Sequence, residues 1–281
     1  MPPEIVHTPD SLLRRPRYLL WSMWRDLLAS RELAWRLMVR DISAQYRQAL
    51  LGVMWAFIPP IAMALGFTLA RDANVFTVGE TDIPYPAYVM FNTALWQTFT
   101  DAATGPVQAI IQAKPMLARV NFPREAIVLA KLGEVGFNFA IKLILIVALF
   151  LYFRVPVGWS VILAPVALVH LILLGVLVGV LLAPIGVLYQ DVSKSLNMVM
   201  GFWLFLTPVI YPVPTEGAFG VLVAWNPVTP LLTTLRELAT TGVVSNPLGF
   251  WVVSGATLVG LLLTWISFRI AIPYVVERVT S

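Results

Sequence analysis

QAKPMLARVNFPRE, from Gln112 to Glu125, is a polar and basic stretch set between two long apolar segments that are each able to cross a bilayer. A loop carrying Lys114, Arg119 and Arg124 does not span anything, so its natural place is the cytoplasmic surface. Pro115 and Pro123 bracket Met116 to Phe122, leaving room for about two turns of helix along that surface, fixed in angle by its proline ends. Two roles fit such an element. It is either a short lever on which a soluble partner acts, or a solvated connector that carries topology charges.

Composition sets the class. Of 281 residues, 59% are hydrophobic and 12% charged, with a mean hydropathy of +0.81. A soluble domain carries roughly 25% charge, so the chain reads as an integral membrane protein. Its length accommodates about six spans of about 20 residues and no separate soluble enzyme domain. Cysteine is absent, which removes disulfides, thiolate catalysis and Cys-based metal sites. The amino terminus, MPPEIVHTPD, has acid and proline where a signal peptide needs a basic and then apolar start, and is expected to stay cytoplasmic. No basic and aromatic groove for nucleic acid is evident.

In chain order, residues 1–29 mix Arg14, Arg15, Arg17 and Arg25 with Trp21, Trp24, Leu27 and Leu28, a pattern suited to a membrane surface. From Ser30, a plausible N-cap, to Gln48 the period is helical. Arg36, Arg40 and Arg47 share one stripe with Ser43, while Ala34, Met38 and Ile42 face the other way. This interfacial helix either anchors to anionic lipid or also meets the anionic head group of a substrate.

Six spans follow: Leu50 to Ala70, bent at Pro59-Pro60; Pro86 to Ile111; Ala126 to Tyr152; Val161 to Leu188; Leu196 to Tyr211; and Leu248 to Ala271. The second is unusually polar, with Asn92, Gln97, Thr98, Thr100, Asp101, Thr104 and Gln108, so one side must face other helices or water, with Trp96 and Phe99 near it. Gly175 and Gly179 form a small-xxx-small pair, a weak packing signal. His170 reads as a satisfied core residue. Tyr189 to Lys194 is a short turn. Between Pro212 and Pro247, Asn226 and Pro227 read as N-cap and first helical residue, Leu231, Leu232, Leu235 and Leu238 as an apolar face and Gly242 as the stop. That helix is too short to span and is re-entrant or interfacial.

Charge orients the whole. With the amino terminus inside, only Arg71, Arg154 and Arg236 fall outside, against a large cytoplasmic excess of Arg and Lys. The fold class is therefore an all-α membrane protein: residues 1–49 form the cytoplasmic region with its interfacial helix, 50–271 the six-span domain, and 272–281 a cytoplasmic tail.

In the third span, Lys131, Glu134, Asn138 and Lys142 recur at three- and four-residue spacing and share one face. Lys131 and Lys142 can snorkel to opposite surfaces. Glu134 cannot, and is expected to pair with Lys131 or with a neighbouring helix. The face is either a structural ion pair or a polar wall that responds when the loop before it moves.

No phosphate-cradling loop, H-E-x-x-H or G-x-S-x-G motif occurs, so ATP binding is not expected in this chain. Asp101 and Glu134, the only carboxylates that read as buried, give an intramembrane enzyme little to work with. A secondary transporter or channel for a smaller polar or lipid-linked substrate remains the alternative, without a convincing internal repeat to support it.

RDISAQYRQALLGVMWAFIPP (Arg40 to Pro60), NFPRE (Asn121 to Glu125), LYQDVSKSLNMVMGFWLFLTPVIYP (Leu188 to Pro212) and NPVTPLLTTLRELATTG (Asn226 to Gly242) resemble, in order and spacing, the permease subunit of ABC exporters for polysaccharides and polyol phosphates. The resemblance runs from about Arg31 to Ala271, with Pro59 and Asn121 departing from the residues frequent there. It implies a homodimer of six-span subunits in a bacterial inner membrane, both termini cytoplasmic. Two copies of a separate ATPase subunit would hold ATP and Mg and drive it. The cargo implied is a glycan or teichoic-acid-like polymer on a polyprenyl diphosphate lipid, moved outward. It further implies ATPase coupling through Met116, Arg119, Arg124, Glu125, Asp191 and Lys194, and outer re-entrant helices within Val213 to Gly242. The substrate head group would meet Arg36, Arg40 and Arg47. Trp96, Phe99, Trp203 and Phe205 are candidates for the channel wall, and equally for aromatics facing core or lipid.

Overall fold

The long segment richest in polar residues is the one that the rest of the chain encloses. A computed structural model describes residues 16–280 apart from positions 48, 49, 51, 120, 121, 190 and 215, and in it Tyr85–Gln112 forms one 28-residue helix with most of its side chains buried. In chain order the helices are α1 (Pro16–Ala29), α2 (Arg31–Arg47), α3 (Ile58–Asp72), the central α4 (Tyr85–Gln112), α5 (Lys114–Arg119), α6 (Glu125–Tyr152), α7 (Ala164–Leu188), α8 (Asp191–Leu206), α9 (Gly217–Trp225), α10 (Val228–Ala239) and α11 (Pro247–Thr280). Short 3-10 turns precede α3 (Gly52–Ala56) and α7 (Trp159–Leu163). Asn92, Thr93 and Thr98 of α4 are buried, and the hydroxyls of Thr98 and Thr104 donate back to the carbonyls of Ala94 and Thr100. Neighbouring helices, not lipid, meet most of this surface, which is how so polar a helix is tolerated.

Among the described residues, three helices are long and apolar enough to cross a bilayer, Glu125–Tyr152, Trp159–Leu188 and Pro247–Ile272. The pair α9 and α10, bent by 85°, is a fourth candidate only if taken as one span. α3 and α8 have 15 and 16 residues, short of the about 20 that a span needs.

Several boundaries differ from the sequence reading, each for a physical reason. Pro59 and Pro60 do not bend the first span; they occupy the first turn of α3, where a missing N–H leaves no helical bond unmade. Ser30 does not cap α2, because its hydroxyl donates to the Asp26 carbonyl of the preceding turn. The expected turn at Asp191 to Lys194 is already the first turn of α8. That helix stops at Leu206 instead of running to Tyr211, because Pro208 disfavours helical backbone at Thr207 and side chains of α4 take the carbonyls that follow. The Tyr85 hydroxyl donates to Ile210 O at 3.0 Å, the Asn92 amide to Val209 O at 3.2 Å, and Tyr88 to Tyr211 O at 2.8 Å. Finally, α11 continues through the expected tail to Thr280.

α4 and α7 lie backbone to backbone. A Cβ on Gly175 would stand 2.8 Å from Phe99 O, and one on Gly179 would stand 2.6 Å from Ala103 O. The contacts continue to Val107 beside Gly186, rising along both helices together, so α4 and α7 run parallel and finish at the same end. On the far side, α2 rests on α6, burying Ala34 and Leu37 and laying Met38 over Gly133.

Candidate functional site

The end at which α4 and α7 finish gathers the candidate coupling residues. α5 starts at Lys114, with Pro115 in its first turn, and is described as far as Arg119. It is seated more deeply than a free surface helix. Met116 is half-buried and lines, with Leu37, Arg40, Asp41, Gln112 and Lys131, a cavity of about 100 Å³ where α2, α4, α5 and α6 meet. Arg119 belongs to α5, but its side chain, like the whole of Asn121, lies outside the described residues. The start of α8 arrives at this same end. Asp191 and Lys194 in its first turn are exposed, and neither has an ionic or hydrogen-bonding partner among the described residues.

Arg124 and Glu125, unlike Asp191 and Lys194, are drawn into the packing of this corner. Glu125 is buried; it accepts from the Trp265 indole at 3.4 Å and stands 3.5 Å from Arg269 Nη1, while Arg269 also bonds Asp26 of α1. Arg124 is half-buried. Burial and the nearby Arg269 lower its pKa from the ordinary arginine range, with Glu125 acting in the opposite sense. Together these groups tie α1, α6 and α11 internally. Glu125→Ala is therefore expected to reduce the amount of assembled protein, and Glu125→Gln less so because it keeps an acceptor for Trp265. Membrane-extracted protein levels for the two variants, compared on one gel, check the order.

The polar face of α6 is turned inward, toward α2 and α4. Lys131 Nζ donates to Glu134 Oε1 at 2.7 Å, and its aliphatic stem lies over Gly105 of α4. Asn138 accepts from the Tyr46 hydroxyl of α2 at 2.7 Å. Burial, and then the carboxylates of Glu134 and Asp101, push the Tyr46 hydroxyl above its ordinary pKa. Lys142 does not snorkel outward. Its ammonium turns to Asp101 Oδ2 on α4 at 3.1 Å, the lysine side chain 5% exposed and the aspartate 41%. Spacing alone identified this face, but Tyr46, which joins it from α2, carried no signal in the sequence.

Arg36, Arg40 and Arg47 are exposed on α2, the first two paired locally with Glu32 at 2.6 Å and Asp41 at 2.8 Å. The aromatic candidates divide. Trp96 and Phe99 are buried and Trp203 half-buried, packed in one cluster with ring centroids 5.3 to 6.4 Å apart. Phe205 alone of the four is exposed.

At the opposite end, sequence reading missed two organising residues. Arg236, counted among the outer charges, lies within α10 and is 4% exposed; it donates to the Tyr88 hydroxyl at 2.9 Å and faces Asp82 at 3.8 Å. Asn226, read only as a cap, uses both ends of its amide. Its oxygen accepts from Val228 N and the Trp203 indole, each at 3.0 Å, and its NH2 donates to Leu206 O and the Thr207 hydroxyl. Gly242 has φ +78° and its N–H closes on Glu237 O, the expected stop beyond α10. Glu237, buried, accepts from Ser245 N and Oγ and so joins Glu134 and Glu125 as an enclosed acid.

The α5 and α8 corners, brought to one end beside a central polar helix, are the features by which the chain can be compared with others. Residues 32–239 match the family model described as ABC-2 type transporter. The chain belongs to the ABC-2 type transporter family. Membership makes it a membrane transport subunit and implies a separate ABC ATPase as partner. Among curated relatives, this ABC-2 chain is 28% identical over 219 residues to the O-antigen export system permease protein RfbA of Myxococcus xanthus, covering 76% of this chain and 82% of that one. It is 21% identical over 239 residues to the protein of the same description from Klebsiella pneumoniae, covering 82% and 87%.

Proposed function

We propose that this chain is the membrane-spanning subunit of an ATP-driven exporter that moves a polyprenyl-diphosphate-linked cell-surface polysaccharide outward across a bacterial inner membrane. The observation that carries the reading is that α5 and the first turn of α8 lie at the same end of α4 and α7, where Asp191 and Lys194 are exposed and have no partner among the described residues. That end is taken as cytoplasmic, since the basic excess of the sequence lies there. Its match to relatives described as O-antigen export permeases supports the cargo class.

In this reading two copies of the chain enclose a path, and two copies of a partner ATPase bind ATP and Mg. Six spans are α3, α4, α6, α7, α8 and α11, with both termini cytoplasmic and α9 and α10 dipping into the outer leaflet. Met116, Arg119, Asp191 and Lys194 couple to the ATPase, whereas Arg124 and Glu125 hold the corner together from within. The exposed stripe of Arg36, Arg40 and Arg47 attracts the diphosphate of the cargo.

Removing the chain from its host is expected to strip polysaccharide from the surface and to accumulate lipid-linked glycan inside. Normal surface glycan in such cells would end the export reading. For coupling, Asp191→Ala combined with Lys194→Ala is expected to slow export severalfold while leaving the amount of chain in the membrane unchanged, since neither side chain has a partner among the described residues. Undiminished export in that variant would remove the α8 corner from the mechanism.

A further inference from the structure

The side of α4 turned away from α7 carries hydrogen-bonding capacity that the described residues use only in part. At about 100° per residue, Gln97, Asp101, Thr104 and Gln108 fall within a sector of about 60°, and the glycine seam with α7, at Phe99, Ala102, Ala103 and Pro106, lies diametrically opposite. Gln97 and Gln108 are half-buried, and their amides have no hydrogen-bond partner among the described residues. Among the described residues Asp101 is held through Oδ2 alone, by Lys142, leaving Oδ1 free, and the Thr100 hydroxyl beside it is buried without a partner.

An amide facing hydrocarbon with nothing to bond is costly, so this stripe is built to meet water or a ligand rich in donors and acceptors. From Gln97 to Gln108 it runs ~16 Å along the helix, several sugar rings in length. Resting on the export reading above, we infer that this stripe is the wall of the translocation path, and that it binds the hydroxyls of a neutral glycan in preference to a polyphosphate chain.

Hydroxyls donate and accept, as do the two amides, and each such contact made against water is weak enough to be released as the chain advances. The charge order selects the cargo. Asp101, 41% exposed, stands at the front and Lys142, 5% exposed, stands behind it. The atoms presented to the path are thus the carboxylate oxygens of the pair, which accept from sugar hydroxyls, while its cation lies behind them and is not offered to a string of phosphates.

The chain has no cysteine, so single cysteines report directly. Gln97→Cys and Gln108→Cys are made, with Ile144→Cys and Val259→Cys on exposed apolar faces as controls, in membrane vesicles that hold the chain together with its ATPase. A water-soluble methanethiosulfonate is expected to label the first two about tenfold faster than the controls, because thiolate forms in water and not in lipid. A neutral maltodextrin is expected to slow that labelling, and poly(glycerol phosphate) is not.

Failure to label, with Gln97→Cys forming a disulfide to its copy in the other subunit, would show a subunit contact and overturn the wall while leaving the export reading intact. Labelling slowed by poly(glycerol phosphate) alone, or by neither polymer, would overturn the glycan assignment. Each variant is scored only at parental abundance and elution volume, and a second pair, Gln97→Ser and Gln108→Ser, tests the same stripe by export rate. Unchanged export in both Ser variants would likewise sink the proposal.

Discussion

Gly179→Leu is expected to remove the assembled protein from the membrane almost completely. A side chain there would begin with a Cβ 2.6 Å from the Ala103 carbonyl oxygen and 2.9 Å from the Pro106 ring. Neither obstacle is the free end of a flexible side chain; both belong to the framework of α4. Overpacking a core typically costs about 1–3 kcal/mol, and the upper end or beyond applies where two helices must part to make room. Gly179→Ala is expected to show a smaller loss of the same kind. Gly136 and Gly255 have open space at the corresponding position, so alanine there should be neutral or slightly stabilising. Quantifying the protein extracted from membranes for all four variants gives the test, and normal accumulation of Gly179→Leu would refute the close contact of α4 with α7.

The ion pair between Lys142 and Asp101 is expected to be asymmetric when broken. Asp101→Ala strands an ammonium that is 5% exposed, whereas Lys142→Ala leaves a carboxylate that is 41% exposed and reachable by water. Stranding the enclosed charge should cost on the order of 3 kcal/mol, and freeing the accessible one distinctly less. Combining Lys142→Met with Asp101→Asn removes both charges at similar volume and should recover much of the stability lost in Asp101→Ala. Thermal unfolding of detergent-purified protein reads the order. Equal midpoints for the two single variants would mean that the pair is solvated and contributes little.

Local physics was legible in the sequence; partners far along the chain were not. The stripe on α2, the polar face of α6 and the stop at Gly242 follow from spacing and residue type within a few turns, and the structure has them. The early end of α8 had a local signal in Pro208, which disfavours helical backbone at Thr207, but the side chains that hold the carbonyls beyond it, Tyr85, Tyr88 and Asn92, belong to another helix and could not be read there. Glu125 reads as a surface charge beside Arg124 until Arg269 arrives from the last helix. Lys142 likewise has a choice between water and Asp101 that only the packing of α6 on α4 decides. The aromatics illustrate the same limit: residue type gave Trp96 and Trp203 two possible settings, and the contact between them packs both into one cluster.

α4 has a further mechanical meaning. It is one unbroken helix of 28 residues, about 42 Å long, joined at one end to α5 through Ala113 and bonded at the other to the carbonyls of residues 208–211. Pro106 is the one interior position where its backbone lacks an amide hydrogen. A displacement applied at α5 therefore reaches the unwound segment after α8 through a single stiff rod with one built-in point of give. If α5 is pushed, no relay of intervening loops is needed for the far end to respond, and the flex of the helix at that proline would set how far it moves.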